Sequence, residues 1–158
     1  MKKICRFFTL LCLVLLTLPV AAQSLASGFA SAKGCLPVPV TGQYKLLRPY
    51  GTHVVGGIEV GSKGCCIRGK SGCHARAVFE GKVAAVYEYE TGYCVVLRHG
   101  SYLTVYAHLE DVCVRQGQTV KALAQLGKVG HDMHGERTLH FQIRQEREPL
   151  NPAQWIKF

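Results

Sequence analysis

Seven short runs rich in strand-forming residues, each cut off by glycine or a polar turn, commit this chain to a β-sheet architecture. They cover residues 53–60, 76–90, 93–99, 102–109, 112–115, 119–126 and 138–144. Turn signals such as His99-Gly100-Ser101 and Arg115-Gln116-Gly117-Gln118 recur between them at the spacing of an all-β domain. No segment keeps a helical period, and there is no repeat or low-complexity stretch. The expected fold is all-β: an antiparallel sheet that forms a groove, or a β-sandwich-like domain.

Alternate side chains of a strand share a face, so the runs also predict what points where. In the closing run Leu139, Phe141 and Ile143 belong to the core, with Thr138, His140, Gln142 and Arg144 opposite. In 102–109 the apolar face is Leu103, Val105, Ala107 and Leu109, against Thr104, Tyr106 and His108. Read as one strand, 53–60 places His53, Val55, Gly57 and Glu59 together. Three polar faces could therefore meet over one groove.

The first residues have the form of an export signal. Lys2, Lys3 and Arg6 precede an apolar run from Phe7 to Leu18, and Val20-Ala21-Ala22 fits a small-residue cleavage site. The expected division is a signal peptide over 1–22, a lead-in arm over 23–48 and one β domain over 49–158. Past the signal, no run is long enough to span a membrane as a helix. The chain has 19 basic and 10 acidic residues; without the three basic residues of the signal its net charge falls from +9 to +6. That balance suits an anionic partner such as a wall polymer. No aromatic-basic motif for nucleic acid is present.

Export also implies an oxidising compartment. Of eight cysteines, Cys35, Cys65, Cys66, Cys73, Cys94 and Cys113 lie beyond the signal. They are candidates for up to three disulfides, with Cys73 to Cys65 or Cys66, and Cys94 to Cys113, as the preferred pairs. A metal knot of Cys65, Cys66, Cys73 and His74 is the rival reading, without C-x-x-C spacing.

Eight segments, in order, resemble the LytM/lysostaphin-type zinc endopeptidases of bacterial cell walls. They are Gly57-Ile58-Glu59-Val60, Ala77 to Val83, Leu97-Arg98-His99-Gly100, Tyr106-Ala107-His108-Leu109, Val114 to Val120, Leu126 to Gly130, Leu139-His140-Phe141-Gln142 and Asn151-Pro152. The resemblance implies a zinc held by a His, an Asp four residues later, and the second His of a His-x-His whose first His is the base. A further His, in Tyr-x-His-Leu, would stabilise the transition state. Carried over, only His108 and His140 match. Glu59 stands for the Asp, Val55 for the first ligand, Thr138 for the base, and Gln142 for an acid that often follows.

This set is degenerate. Val55 cannot ligate, and Thr138 cannot take a proton from a metal-bound water. A makeshift site of His53, Glu59 and His140 would have to bring together His53 and Glu59, about 20 Å apart in an extended strand. Only a bend at Gly56-Gly57 could do so. His108 is then the remnant of the catalytic set, and no cofactor is expected unless zinc is held by such a rescue. The expected function is that of an exported, periplasmic or extracellular domain that does not cut. It would bind peptidoglycan or regulate a cell-wall hydrolase. The alternative is a zinc metalloendopeptidase that cleaves peptidoglycan cross-bridges with an altered site.

Overall fold

The computed structural model describes residues 20–158; the signal-peptide reading falls almost wholly on 1–19, outside the described residues. One helix, α1 (Val20–Ser31), precedes twelve strands. The first five are β1 (Tyr44–Arg48), β2 (Gly51–Val55), β3 (Ile58–Ser62), β4 (Cys65–Gly69) and β5 (His74–Arg76). Then come β6 (Gly81–Tyr89), β7 (Gly92–His99), β8 (Tyr102–Glu110), β9 (Thr119–Val120) and β10 (Gln125–Val129). β11 (Thr138–Gln145) and β12 (Glu148–Leu150) close the chain, followed by one 3-10 turn, Pro152–Gln154.

Ten strands join in one sheet whose main path is β1-β4-β11-β8-β7-β6-β9, while β2 and β3 form a separate hairpin. All strand pairs are antiparallel. The all-β expectation therefore describes the molecule. Among the described residues no helix is long and apolar enough to cross a membrane.

β11 behaves as its alternation predicts: Leu139, Phe141 and Ile143 are fully buried. Residues directly opposite in an antiparallel pair share a face. Phe141 faces Tyr106 of β8 and Cys65 of β4, and these three build the core side. The Tyr106 and Phe141 rings meet edge to face at 5.2 Å.

β8 departs from the expected parity. Thr104 and Tyr106 are fully buried, whereas Leu103 and Val105 are half-buried on the other side. The core accepts Tyr106 because its hydroxyl takes the Val78 N–H at 3.0 Å, so its polar tip is not stranded. A bulge then resets the strand. Tyr106 faces Val95 and Leu109 faces Tyr93, so β8 carries one extra residue there. His108 sits in that bulge with φ +65°, an uncommon conformation outside glycine.

The run 53–60 is not one strand. Gly56 and Gly57 take φ +59° and +82°, the left-handed pair that a tight hairpin requires. β2 and β3 are its two arms, with His53 opposite Val60 and Glu59 opposite Val54. Folding the run in two puts His53 and Glu59 on opposite faces, where a single strand would put them on one. The run 112–115 is irregular, and 119–126 breaks at a turn around Leu123 into β9 and β10.

The lead-in arm also differs from expectation. Its first part is helical, although its Ala, Ser and Gly residues give no apolar stripe. One side chain, Phe29, anchors it. Phe29 is fully buried and packs on His99 at 4.8 Å, Tyr102 at 5.0 Å, Trp155 at 5.2 Å and Phe79 at 5.5 Å. Gly100 lets the helix approach, since a Cβ there would lie 2.3 Å from the Ala22 carbonyl oxygen.

The expected disulfides are not formed: all six cysteines of the described residues are free thiols. Strand parity separates two of them. Cys65 and Cys66 are neighbours on β4 and so point to opposite sides of the sheet. Cys65 lies in the core with Cys73, while Cys66 faces out beside His140. Cys113 is exposed and donates to the Gln125 carbonyl.

Candidate functional site

A cavity of about 210 Å³ opens on the outer face of the sheet. Its floor is a row of side chains across adjacent strands. Arg48 of β1 faces Cys66 of β4, Cys66 faces His140 of β11, and His140 faces Ala107 of β8. The bulge swings His108 onto the same side, with its ring 6.3 Å from that of His140. The β2–β3 hairpin forms one wall through His53, Val60 and Ser62. The loop before β11 adds Asp132 and His134.

The structure therefore gathers three of the predicted residues, His53, His108 and His140. It does not bring Glu59 to them: Glu59 is exposed on the far face of the hairpin and does not line the cavity. Val55 is exposed near the hairpin tip. Thr138 is fully buried on the same side of β11 as His140, beneath the loop that carries Asp132, and does not line the cavity. Its hydroxyl donates to Asp132 at 3.2 Å.

Cys66 is the residue that sequence reasoning overlooked as a site residue. Its Sγ lies 3.4 Å from His140 Nδ1. A signal was available: Gly64-Cys65-Cys66-Ile67 repeats the Gly-apolar-X-apolar form of Gly57-Ile58-Glu59-Val60. Cysteine counting drew both thiols into the disulfide set instead. Arg48 and Glu90 were likewise not singled out as part of one site.

The hydrogen bonds fix how each group presents itself. Arg144 donates to Gln142 Oε1 at 3.3 Å, which turns the Gln142 amide nitrogen toward His140 Nε2 at 3.0 Å. Nε2 therefore accepts, and the His140 proton resides on Nδ1, facing Cys66. Burial lowers the His140 pKa, helped by its proximity to the His108 ring and the Arg48 guanidinium. Burial pushes the Cys66 thiol up, against the pull of the Arg48 guanidinium. His108 directs Nε2–H to Glu90 at 3.0 Å and stacks on Tyr89.

Asp132 is 6% exposed. Burial would raise its carboxyl, but N–H groups of Glu136 and His134 and the Thr138 hydroxyl hold it below its usual range. Arg48 adds an ion pair at 3.7 Å.

Zinc does not suit this donor set. A ligating imidazole must offer a bare nitrogen to the metal, and both His140 nitrogens are engaged, Nε2 by the Gln142 amide and Nδ1 by Cys66. The Arg48 guanidinium sits beside the thiol, where it repels a cation. Among the described residues no three His, Cys, Asp or Glu side chains group closely enough to hold a metal ion. Thr138 has no basic nitrogen and spends its proton on Asp132. The floor is thus a thiol, an imidazole and a guanidinium in line, suited to holding a ligand by hydrogen bonds.

Peptidase family M23 is the family whose profile matches, over residues 60–152. The match begins just past Glu59 and contains Cys66, His108 and His140. An uncharacterized protein of Haemophilus influenzae is 34% identical over 83% of this chain and 32% of its own length. The murein hydrolase activator NlpD of Escherichia coli is 32% identical over 64% of this chain and 27% of its own. The chain thus spans about a third or less of either relative. A zinc-containing peptidase from Vibrio cholerae superposes with a TM-score of 0.67 at 25% identity, over 77% of this chain and 40% of the other.

Proposed function

This chain belongs to peptidase family M23, and on that premise we propose that it is an exported domain of the bacterial cell envelope that works without cutting. It binds peptidoglycan or a cell-wall hydrolase through the cavity and groove described above. The 1–22 segment acts as the export signal in this reading.

One observation carries the proposal. The positions that should supply a ligand set and a base instead hold Cys66 under Arg48, an imidazole with its N–H turned inward, and a buried Thr138. Those groups retain the shape of the groove and its hydrogen-bonding capacity, and give up the chemistry of hydrolysis. A relative that is a murein hydrolase activator supports a regulatory role.

The test uses purified sacculi and a purified wall amidase. The chain alone should release no muropeptides, with or without added zinc. It should sediment with sacculi or raise the amidase's rate. Chelator-sensitive release of muropeptides by the chain alone would establish the endopeptidase alternative and overturn the proposal. So would the absence of both sedimentation and activation.

A further inference from the structure

The cavity's hydrogen-bonding groups are out of balance. Both ring nitrogens of His53 and Nδ1 of His108 are buried without a partner, and among the described residues no other side-chain nitrogen or oxygen is left so. His108 is only 7% exposed. Both residues line this one cavity. An unmet buried polar atom costs roughly 1–3 kcal/mol, so their concentration in one place signals a ligand.

Which ligand follows from which groups are free. The acids are already engaged: Asp132 Oδ1 takes the N–H groups of His134 and Glu136, and Oδ2 takes the Thr138 hydroxyl. Glu90 takes Nε2–H of His108. Arg48 has a 3.7 Å ion pair to Asp132, lies beside the Cys66 thiol and keeps a side chain 42% exposed, so guanidinium N–H groups remain available. His53, with neither ring nitrogen engaged, adds an N–H. His108 donates through Nε2 to Glu90, which leaves Nδ1 as its ring atom without a partner, an acceptor in the imidazole form. The complement is an anionic oxygen pair for Arg48 and His53, next to an N–H for His108.

The last residue of a peptide carries both, a carboxylate and an amide N–H on the same Cα. Guanidinium and carboxylate are matched in geometry as well as charge. A cavity of about 210 Å³ falls below the roughly 300–1,000 Å³ of drug-sized sites. It has room for the end of a chain and not for its length.

We propose that this cavity captures the free carboxyl terminus of a peptide, with the carboxylate on Arg48 and His53 and the terminal amide N–H on His108 Nδ1. The assignment rests on the groove-binding reading above and names what the groove binds. A D-alanyl terminus of a wall peptide and the L-terminus of a protein share this chemistry.

The experiment is NMR of the ¹⁵N-histidine-labelled full chain, titrated with N-acetyl-D-Ala-D-Ala, N-acetyl-L-Ala-L-Ala and the C-terminal amide of each. The acids should move the His53 and His108 signals, and the amides should bind about tenfold or more weaker. Arg48→Gln should weaken the acids to a similar degree while leaving the thermal midpoint in place. His53→Gln gives a second, independent loss. A preference for the D form assigns the wall peptide as source, and a preference for the L form assigns a protein terminus. Equal binding of acid and amide, no shift at His53, or stoichiometric zinc in the cavity would overturn the proposal. Carboxylate capture without any effect on sacculi or amidase would instead count against the wider function and leave this site standing.

Discussion

Replacing Phe29 by Ala tests whether α1 is part of the domain or only leads into it. The ring is fully buried among four aromatic neighbours. An aromatic side chain buries about 150–250 Å², which at about 25 cal/mol per Å² is worth about 4–6 kcal/mol. The remaining methyl and partial collapse of the cage bring the expected loss to about 3–5 kcal/mol. A domain of this size has only about 5–15 kcal/mol to lose. The assay is urea unfolding followed by circular dichroism, with Ser31→Ala as the control because Ser31 is an exposed residue of the same helix. The control should stay within about 0.5 kcal/mol of the parent. A loss below about 1 kcal/mol for Phe29→Ala would refute the packing argument and return α1 to the status of a loose arm.

Three further outcomes are expected. Tyr106→Phe strands the Val78 N–H in the core and should cost about 1–3 kcal/mol by the same unfolding measurement; a neutral result would mean that N–H has another partner. Burial lowers the His99 pKa to about 4, so between about pH 6.5 and 4 the unfolded chain binds a proton that the folded chain refuses. Stability should therefore fall on acidification through that window, by up to about 3 kcal/mol, and a flat urea-midpoint profile would contradict it. Iodoacetamide should modify exposed Cys35 and Cys113 before Cys66, followed by peptide mass spectrometry. Arg48→Gln should slow Cys66 further, because the guanidinium is the group that opposes burial of the thiolate.

Period-two alternation in β11 was enough to place Leu139, Phe141 and Ile143 in the core and His140 outside it. The same reasoning failed in β8. It could not foresee that Tyr106 would be buried through one hydrogen bond, nor that a bulge would hand His108 back to the outer face. In 53–60 the two glycines were visible, but a hairpin and a bent strand share the same letters; only pairing partners separate them. That choice decides whether His53 and Glu59 are neighbours or back to back. α1 escaped notice because a single phenylalanine, and not a stripe, carries its attachment. Cys66 was hidden by its own chemistry: in an exported chain a thiol reads as half a disulfide before it reads as a floor residue. Its partners lie on strands distant in sequence, where no local spacing can reveal them.

The floor row has a consequence for how such a domain changes over generations. Arg48, Cys66 and His140 each belong to a different strand, and the neighbours Cys65, Leu139 and Phe141 point to the opposite, core side. A codon can alter one tile of the floor without disturbing the packing behind it or the strand beside it. Metal chemistry, thiol chemistry and plain recognition are then separated by a few independent substitutions on an unchanged chassis.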